Sequence, residues 1–242
     1  MSKGELAALR GVPSYVWRDG QERRLQLIAH WAKLDEATVL EAGGGVGMYA
    51  SQIGRRYTAR VELFDIELPF AQQAAVETPH AIVAAGEALP YASNSFDTIL
   101  SHEVIEHVAD DRQSAQEMVR VLKPGGRIVL FCPNRWYPFE THGHYWKGTY
   151  HFGNTPLINY LPDHWRNQLA PHVRAYTWRG IEALFTDQPV KIVHHRRVYG
   201  AYDNLIYRFG KPMAAARDLL QRLDGTPFDV WGLSHFMVVE KV

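Results

Sequence analysis

A single cysteine, Cys132, stands among 242 residues, which excludes an internal disulfide and any cysteine-rich metal site. It falls in an apolar run, where a thiol is ordinarily buried and inert. No stretch reaches the ~18 apolar residues that a membrane span requires. The N-terminus lacks the charged-then-apolar layout of a secretory signal, so the expected location is cytoplasmic. Net charge is also missing, with Lys+Arg and Asp+Glu at 26 each. That balance disfavours nucleic acid or another polyanion as the main partner. Internal repeats and low-complexity segments are absent, so the chain is read as one domain over 1–242, long enough for a substantial buried core.

The charge balance conceals a tilt. Residues 1–120 carry 11 basic against 17 acidic side chains, and residues 121–242 carry 15 against 9. A basic second half is consistent with an anionic acceptor or surface there, although solvated faces often look the same.

Short β-branched runs alternate with helical stretches, the pattern of a mostly parallel sheet covered by helices on both faces. Leu25, Leu27, Ile28, Trp31 and Leu34 recur at helical spacing and predict a first helix over 22–34. With the residues before it, this helix forms an N-terminal cap over 1–36. Strands are expected at 38–41, 61–65, 81–84, 96–101 and 127–132, with helices from Met48 to Arg55 and over 111–122. The second helix should stop at Lys123-Pro124-Gly125-Gly126. Thr177 should cap a helix reaching Phe185, followed by strands over 190–198 and 234–240 around a partly helical stretch. Between them, residues 133–176 lose regularity and hold nine of the 29 aromatics between Trp136 and Trp165. So long an irregular segment in a compact domain reads as a lid or substrate-side insert, and its aromatic density argues against disorder.

The turn Glu41-Ala42-Gly43-Gly44-Gly45-Val46-Gly47 follows a strand and opens a helix. Its unpaired N–H groups and small residues suit a ligand approaching the backbone. Asp65 ends the next strand, where a carboxylate accepts ribose hydroxyls, so the pair points to a nucleoside. A dinucleotide turn wants a third glycine where Met48 stands, which disfavours an NAD-dependent dehydrogenase.

Downstream come Gly86-Glu87-Ala88-Leu89-Pro90-Tyr91, Asn94-Ser95-Phe96-Asp97, Ser101 to Val108, and Leu122-Lys123-Pro124-Gly125-Gly126. Four motifs in this order closely resemble the class I S-adenosylmethionine (SAM)-dependent methyltransferases, over about residues 20–132. Within them the chain looks most like the broad type 11 group that includes ubiquinone-biosynthesis O-methyltransferases. The resemblance implies a Rossmann-like, seven-stranded, mostly parallel sheet with an aromatic-rich insert after the fifth strand. It implies that Glu41, Ala42, Gly43, Gly44, Gly45 and Gly47 hold the methionine end of SAM, and that Asp65 takes the ribose. Ile66, Gly86, Glu87, Ala88 and Leu89 would enclose the adenine, with Ser101 and His102 beneath the sulfonium. Two positions depart from the family. Glu41 stands where Asp is more frequent, and Ala85 where an Asp often meets the adenine amino group.

Glu103, Glu106 and His107 form E-x-x-E-H, whose side chains would share one face of a helical turn. With His142 or His144 added, such a set suits Mg²⁺ or a similar ion. The resemblance to metal-assisted ubiquinone-type and small-RNA 2′-O-methyl enzymes implies that use, and Glu103, Glu106, His107 and His142 are the expected ligands. The bland reading has solvated glutamates and a histidine that shapes the cofactor pocket. Five of the 12 histidines lie between 142 and 172. His142 is the chosen general base, with His107 as its companion.

The favoured expectation is methyl transfer, at oxygen, to a small or lipid-like acceptor, with peripheral membrane contact through the aromatic insert. The alternatives are a metal-assisted RNA methyltransferase and a non-catalytic SAM-binding protein.

Overall fold

The computed structural model describes residues 15–57 and 60–242, so the first 14 residues of the expected N-terminal cap lie outside the description. Its centre is a seven-stranded mixed sheet: β1 (Val39–Ala42), β2 (Val61–Asp65), β3 (Ala81–Val83), β4 (Phe96–His102), β5 (Leu122–Pro133), β10 (Val190–Val198) and β11 (Ser234–Lys241). The strand order is β10-β11-β5-β4-β1-β2-β3. The five strands from β5 to β3 run parallel, while β11 runs antiparallel to both β5 and β10.

Alternation along each strand sends neighbouring residues into opposite layers. Leu40, Ile99 and Ile128 join a core with Met118 and Val119, whereas Val39, Leu100 and Val129 join one with Leu25, Ile28 and Ile53. Both faces are thus covered, as strands this continuously apolar require. The first face is covered by α4 (Asp111–Val121), and the second by α1 (Asp19–Trp31) and α2 (Met48–Arg56). A short α3 (Leu68–Ala74) links β2 to β3. β1 pairs with β2 on one side and β4 on the other. The chain order reverses there, and the carboxyl ends of the strands open a crevice.

Helix boundaries depart from the periodicity where local chemistry intervenes. α1 starts at Asp19, three residues early, where the Gln21 side chain accepts the Arg18 N–H at 3.2 Å. It ends at Trp31 because Ala32 turns extended. α4 ends at Val121, and Leu122 already pairs with Phe96. Lys123–Gly126 therefore sits inside β5 as an irregularity between that pair and Arg127↔Thr98. Gly126 is needed there, because a Cβ would come within 2.9 Å of the Asp97 carbonyl.

The insert after β5 is built from small pieces: β6 (Phe139–Glu140) paired with β9 (Thr155–Pro156), the hairpin β7 (His144–Trp146) and β8 (Thr149–His151), and α5 (Asp163–Leu169). Its interior is polar. Arg166 and Glu140 form a buried ion pair at 2.8 Å, and Arg166 also donates to the Val173 carbonyl at 2.7 Å. Beyond it, Thr177 caps α6 (Trp178–Glu182) by accepting the Gly180 N–H at 3.1 Å. Two helices, α7 (Asp203–Phe209) and α8 (Lys211–Gln221), then precede β11 and bury none of their own residues.

Candidate functional site

A cavity of about 680 Å³ opens at the carboxyl ends of β1, β2 and β4, a size suited to a small-molecule ligand. The glycine turn forms one wall. Gly43, Gly45 and Gly47 all take positive φ, where a Cβ is costly. A side chain at Gly43 would also collide with Val104. Gly45 donates its N–H to Asp65 at 2.8 Å, and the other Asp65 oxygen accepts the Glu67 N–H at 2.8 Å. The carboxylate therefore stands fixed at the β2 end, in the cavity lining. Beside it Ile66 is half exposed to the cavity.

Glu41 lies beneath this turn, buried, and accepts the Ala50 N–H at 2.7 Å. Burial pushes its carboxyl up to about 8, with the Asp65 charge adding to the rise. An incoming ammonium would favour the ionised form instead.

A second group gathers at the β4 tip. Arg24 places one guanidinium nitrogen 2.6 Å from His102 Nε2 and 2.8 Å from Glu103, and donates to Ser234 at 2.9 Å. Guanidinium only donates, so His102 Nε2 is an acceptor. Burial and the Arg24 charge hold this imidazole down at about 3, so His102 is neutral and fixed rather than a base. Burial opposes ionisation of Glu103, yet the charge of Arg24, the neighbouring His102 and the hydrogen bonds from Ser234 and Arg24 together outweigh it and hold the carboxyl at about 2.

A third group has His107 and His142 in the cavity lining and buried Glu106 outside it. Glu106, His107 and His142 bring one ligand atom each within 4.8 Å of one another. Neither oxygen of buried Glu106 has a hydrogen-bond partner among the described residues. Burial and the neighbouring Glu103 charge raise its carboxyl well above the usual range. His107 Nδ1 meets the His172 carbonyl at 3.2 Å, so this nitrogen carries the proton and Nε2 is left free. Burial and then the His142 charge hold His107 down at about 4. His142 is oriented by Glu140, whose Oε1 accepts from its backbone N–H at 3.0 Å and meets its Nδ1 at 3.1 Å. Burial opposes Glu140's ionisation, but the hydrogen bond from His142 and the His142 and Arg166 charges hold it at about 2.

The structure redistributes several expected roles. Ala42, Gly47, Ala88, Leu89 and Ser101 do not line the cavity. Gly47 instead packs on Ala74 and starts α2, Leu89 joins the core, and Ser101 is buried in β4 between its paired neighbours. E-x-x-E-H is a turn rather than a helix, with Glu103 at φ 55°. That backbone turns Glu103 toward Arg24 and Ser234 and leaves it outside the Glu106 cluster. His144 faces Thr155 at 3.0 Å instead. Ala85 lines the cavity, and nearby Glu87 accepts the Asp110 N–H at 3.0 Å. Of the insert's aromatics, Phe152 alone lines the cavity among the described residues, so the expected aromatic wall is not assembled. Sequence reasoning missed Glu140, Arg166, Tyr49 and Gln21. Only Glu140 had a local signal, two residues before His142 in an extended stretch.

Residues 40–130 match a family model described as a methyltransferase domain. Over these residues the chain matches a type 11 methyltransferase domain of the class I SAM-dependent kind. An uncharacterized methyltransferase of Mycobacterium sp. (strain JLS) is 40% identical over 106 residues, covering 43% of this chain and 42% of that protein. The chain thus spans less than half the length of this curated relative. Two crystal structures share the fold. A SAM-dependent methyltransferase from Mesorhizobium loti gives a TM-score of 0.64 at 15% identity, covering 92% of this chain and 99% of that one. The geranyl diphosphate C-methyltransferase from Streptomyces coelicolor A3(2), in complex with Mg²⁺, geranyl diphosphate and S-adenosyl-L-homocysteine, gives 0.61 at 19%, covering 92% and 79%. None of these proteins is named as a ubiquinone-biosynthesis enzyme. Among the described residues no helix is long and apolar enough to cross a membrane.

Proposed function

We propose that this chain transfers a methyl group from SAM to the oxygen of a small, lipid-like acceptor, and that His142 takes the acceptor's proton. The observation that carries this reading is His142 in the cavity lining, held by Glu140 at 3.1 Å. The residues present fit SAM. The turn is a cradle that a Cβ would fill, the Asp65 carboxylate lines the cavity where a ribose would lie, and buried Glu41 awaits a cation. When bound, SAM supplies an electrophilic methyl whose thioether leaving group needs no acid.

The chain's own residues then have two tasks. Turn and Asp65 fix the cofactor, which supplies most of what an in-line displacement needs. Glu140 holds the Nδ1–H of His142 and thereby directs the Nε2 lone pair to the acceptor hydroxyl. Nε2 would take up the acceptor's proton, leaving an oxygen nucleophile for the methyl that bound SAM would supply. Geranyl diphosphate in the Streptomyces relative supports an apolar acceptor and makes carbon methylation the alternative to oxygen.

A second reading is favoured by one observation, the two unpartnered oxygens of buried Glu106. Glu106, His107 and His142 would together hold a divalent cation, with Glu140 and the His172 carbonyl orienting the imidazoles from behind. Two imidazoles and one carboxylate suit Mn²⁺, Fe²⁺ or Zn²⁺ better than Mg²⁺. Such an ion would polarise an acceptor oxygen and ease its deprotonation.

Labelled methyl transfer from SAM into a metabolite extract tests the first reading and isolates the acceptor. His142→Ala should lower turnover by about 10²–10⁴-fold while calorimetric SAM affinity holds, and retained turnover would sink the assignment. Chelation followed by Mn²⁺ re-addition separates the readings. Turnover lost and restored supports the ion, and an unchanged rate leaves His142 as base.

A further inference from the structure

The hairpin β7–β8 stands apart from the rest of the insert. Its turn residues Lys147 and Gly148 both take positive φ, 48° and 79°, as a tight two-residue hairpin turn requires. A Cβ on Gly148 would find nothing within 4 Å, so the tip projects clear of the body. One face of the hairpin is anchored. Tyr145 and Tyr150 pack against each other and against His172 with ring centroids 5.3 to 5.8 Å apart. The Tyr150 hydroxyl donates to the His142 carbonyl at 2.6 Å. The projecting tip therefore rests on a stiff base that also carries His142.

The exposed side of this element is aromatic. Trp146 is 57% exposed and Phe152, just past the hairpin, 77%. Trp165 on α5, which packs against β7, is 57% exposed. Large rings left in water at a projecting tip are uncommon without a partner surface. Between Thr141 and Pro162 there is no Asp or Glu, and Lys147 supplies the permanent charge. The flanking carboxylates are neutralised, Glu140 by Arg166 and Asp163 by Arg135 at 2.7 Å.

We propose that this hairpin seats on the surface of an anionic lipid bilayer, with Trp146 at headgroup depth and Lys147 on lipid phosphate. Tryptophan and lysine are the residues that prefer this interface, one for its amphipathic ring and the other for its charge above an apolar stem. Phe152 both stands exposed and lines the cavity, so the seated face and the cavity mouth are continuous. An acceptor dissolved in the bilayer would then reach His142 without crossing water. That consequence rests on the methyl-transfer reading, whereas the seating does not.

Co-sedimentation of the full chain with vesicles tests the seating without turnover. The wild type should partition into vesicles of phosphatidylcholine with phosphatidylglycerol, and more weakly into phosphatidylcholine alone. Trp146→Ala should lower partitioning by at least about tenfold, with SAM affinity and far-ultraviolet circular dichroism unchanged. Lys147→Glu should lower it by roughly thirtyfold at low salt and erase the preference for anionic lipid. Failure of the wild type to bind, or equal binding by Trp146→Ala, would overturn the proposal. So would loss of binding in Tyr207→Ser alone, which would move the contact to α7. A dimer in sedimentation velocity that Trp146→Ala dissolves would also overturn it, in favour of a second copy on this face.

Discussion

The glycine turn and the insert both line one cavity but hold their functional groups in different ways. On the first wall the backbone does the holding. Positive-φ glycines, the Gly45 N–H on Asp65 and the Ala50 N–H on Glu41 all lie within one strand–turn–helix unit and the next strand. On the second wall side chains do it, two of them across long separations, Arg166 on Glu140 and His107 on the His172 carbonyl, and one locally, Glu140 on His142. A wall made of backbone tolerates change at most side chains but not at its glycines. A wall made of buried ion pairs fails when either partner is removed.

The largest expected effect breaks the first wall. Gly43→Val places a β-branched side chain at φ 63° against Val104, and calorimetry should show SAM affinity falling by more than about 10³-fold. A variant that still binds would mean that the turn does not hold the cofactor. The second wall should break almost as deeply. Arg166→Met strands the buried Glu140 carboxylate and should cost about 3–5 kcal/mol in urea unfolding. Adding Glu140→Gln to it should restore part of that loss, and an additive penalty would refute the coupling.

Smaller changes sharpen the contrast. Glu140→Gln weakens the hold on His142 and leaves Arg166 without its counter-charge, so turnover of the folded protein should fall about 10–100-fold with its SAM affinity unchanged. A fall in SAM affinity instead would place Glu140 in folding rather than in orientation. The smallest effect concerns pH. Glu41 titrates at about 8 in the folded chain against an ordinary 4.5, so between those values the folded state holds one proton more than the unfolded one. Stability from this group is complete below pH 4.5 and lost as pH rises through 8, at about 1.4 kcal/mol per unit within the window. From pH 6.5 to 7.5 the wild type should lose about 1 kcal/mol that Glu41→Gln does not lose. Parallel pH profiles for the two proteins would contradict the assignment.

The same contrast explains what the sequence disclosed. The turn, Asp65 and the strand tips are local patterns, readable because glycine, carboxylate and strand lie within a few residues of one another. The boundaries of β10 were legible for a similar reason, a valine- and isoleucine-bearing run between Pro189 and Gly200. Leu89 and Ser101 were misplaced because burial in β4 or against α4 is a tertiary outcome. Glu103 was misplaced because its positive φ turned a supposed helical face into a turn. Arg166 is 26 residues from the carboxylate it neutralises, and no periodicity announces such a pairing. The rings of the insert were visible as composition, but composition did not say that most would face away from the cavity.

Calorimetric titration of the wild type with SAM and, separately, with NAD tests the central claim most directly. The account predicts saturable, one-to-one binding of SAM and none of NAD. Binding of NAD without SAM would contradict it, because the glycine turn and Asp65 would then serve a dinucleotide despite Met48.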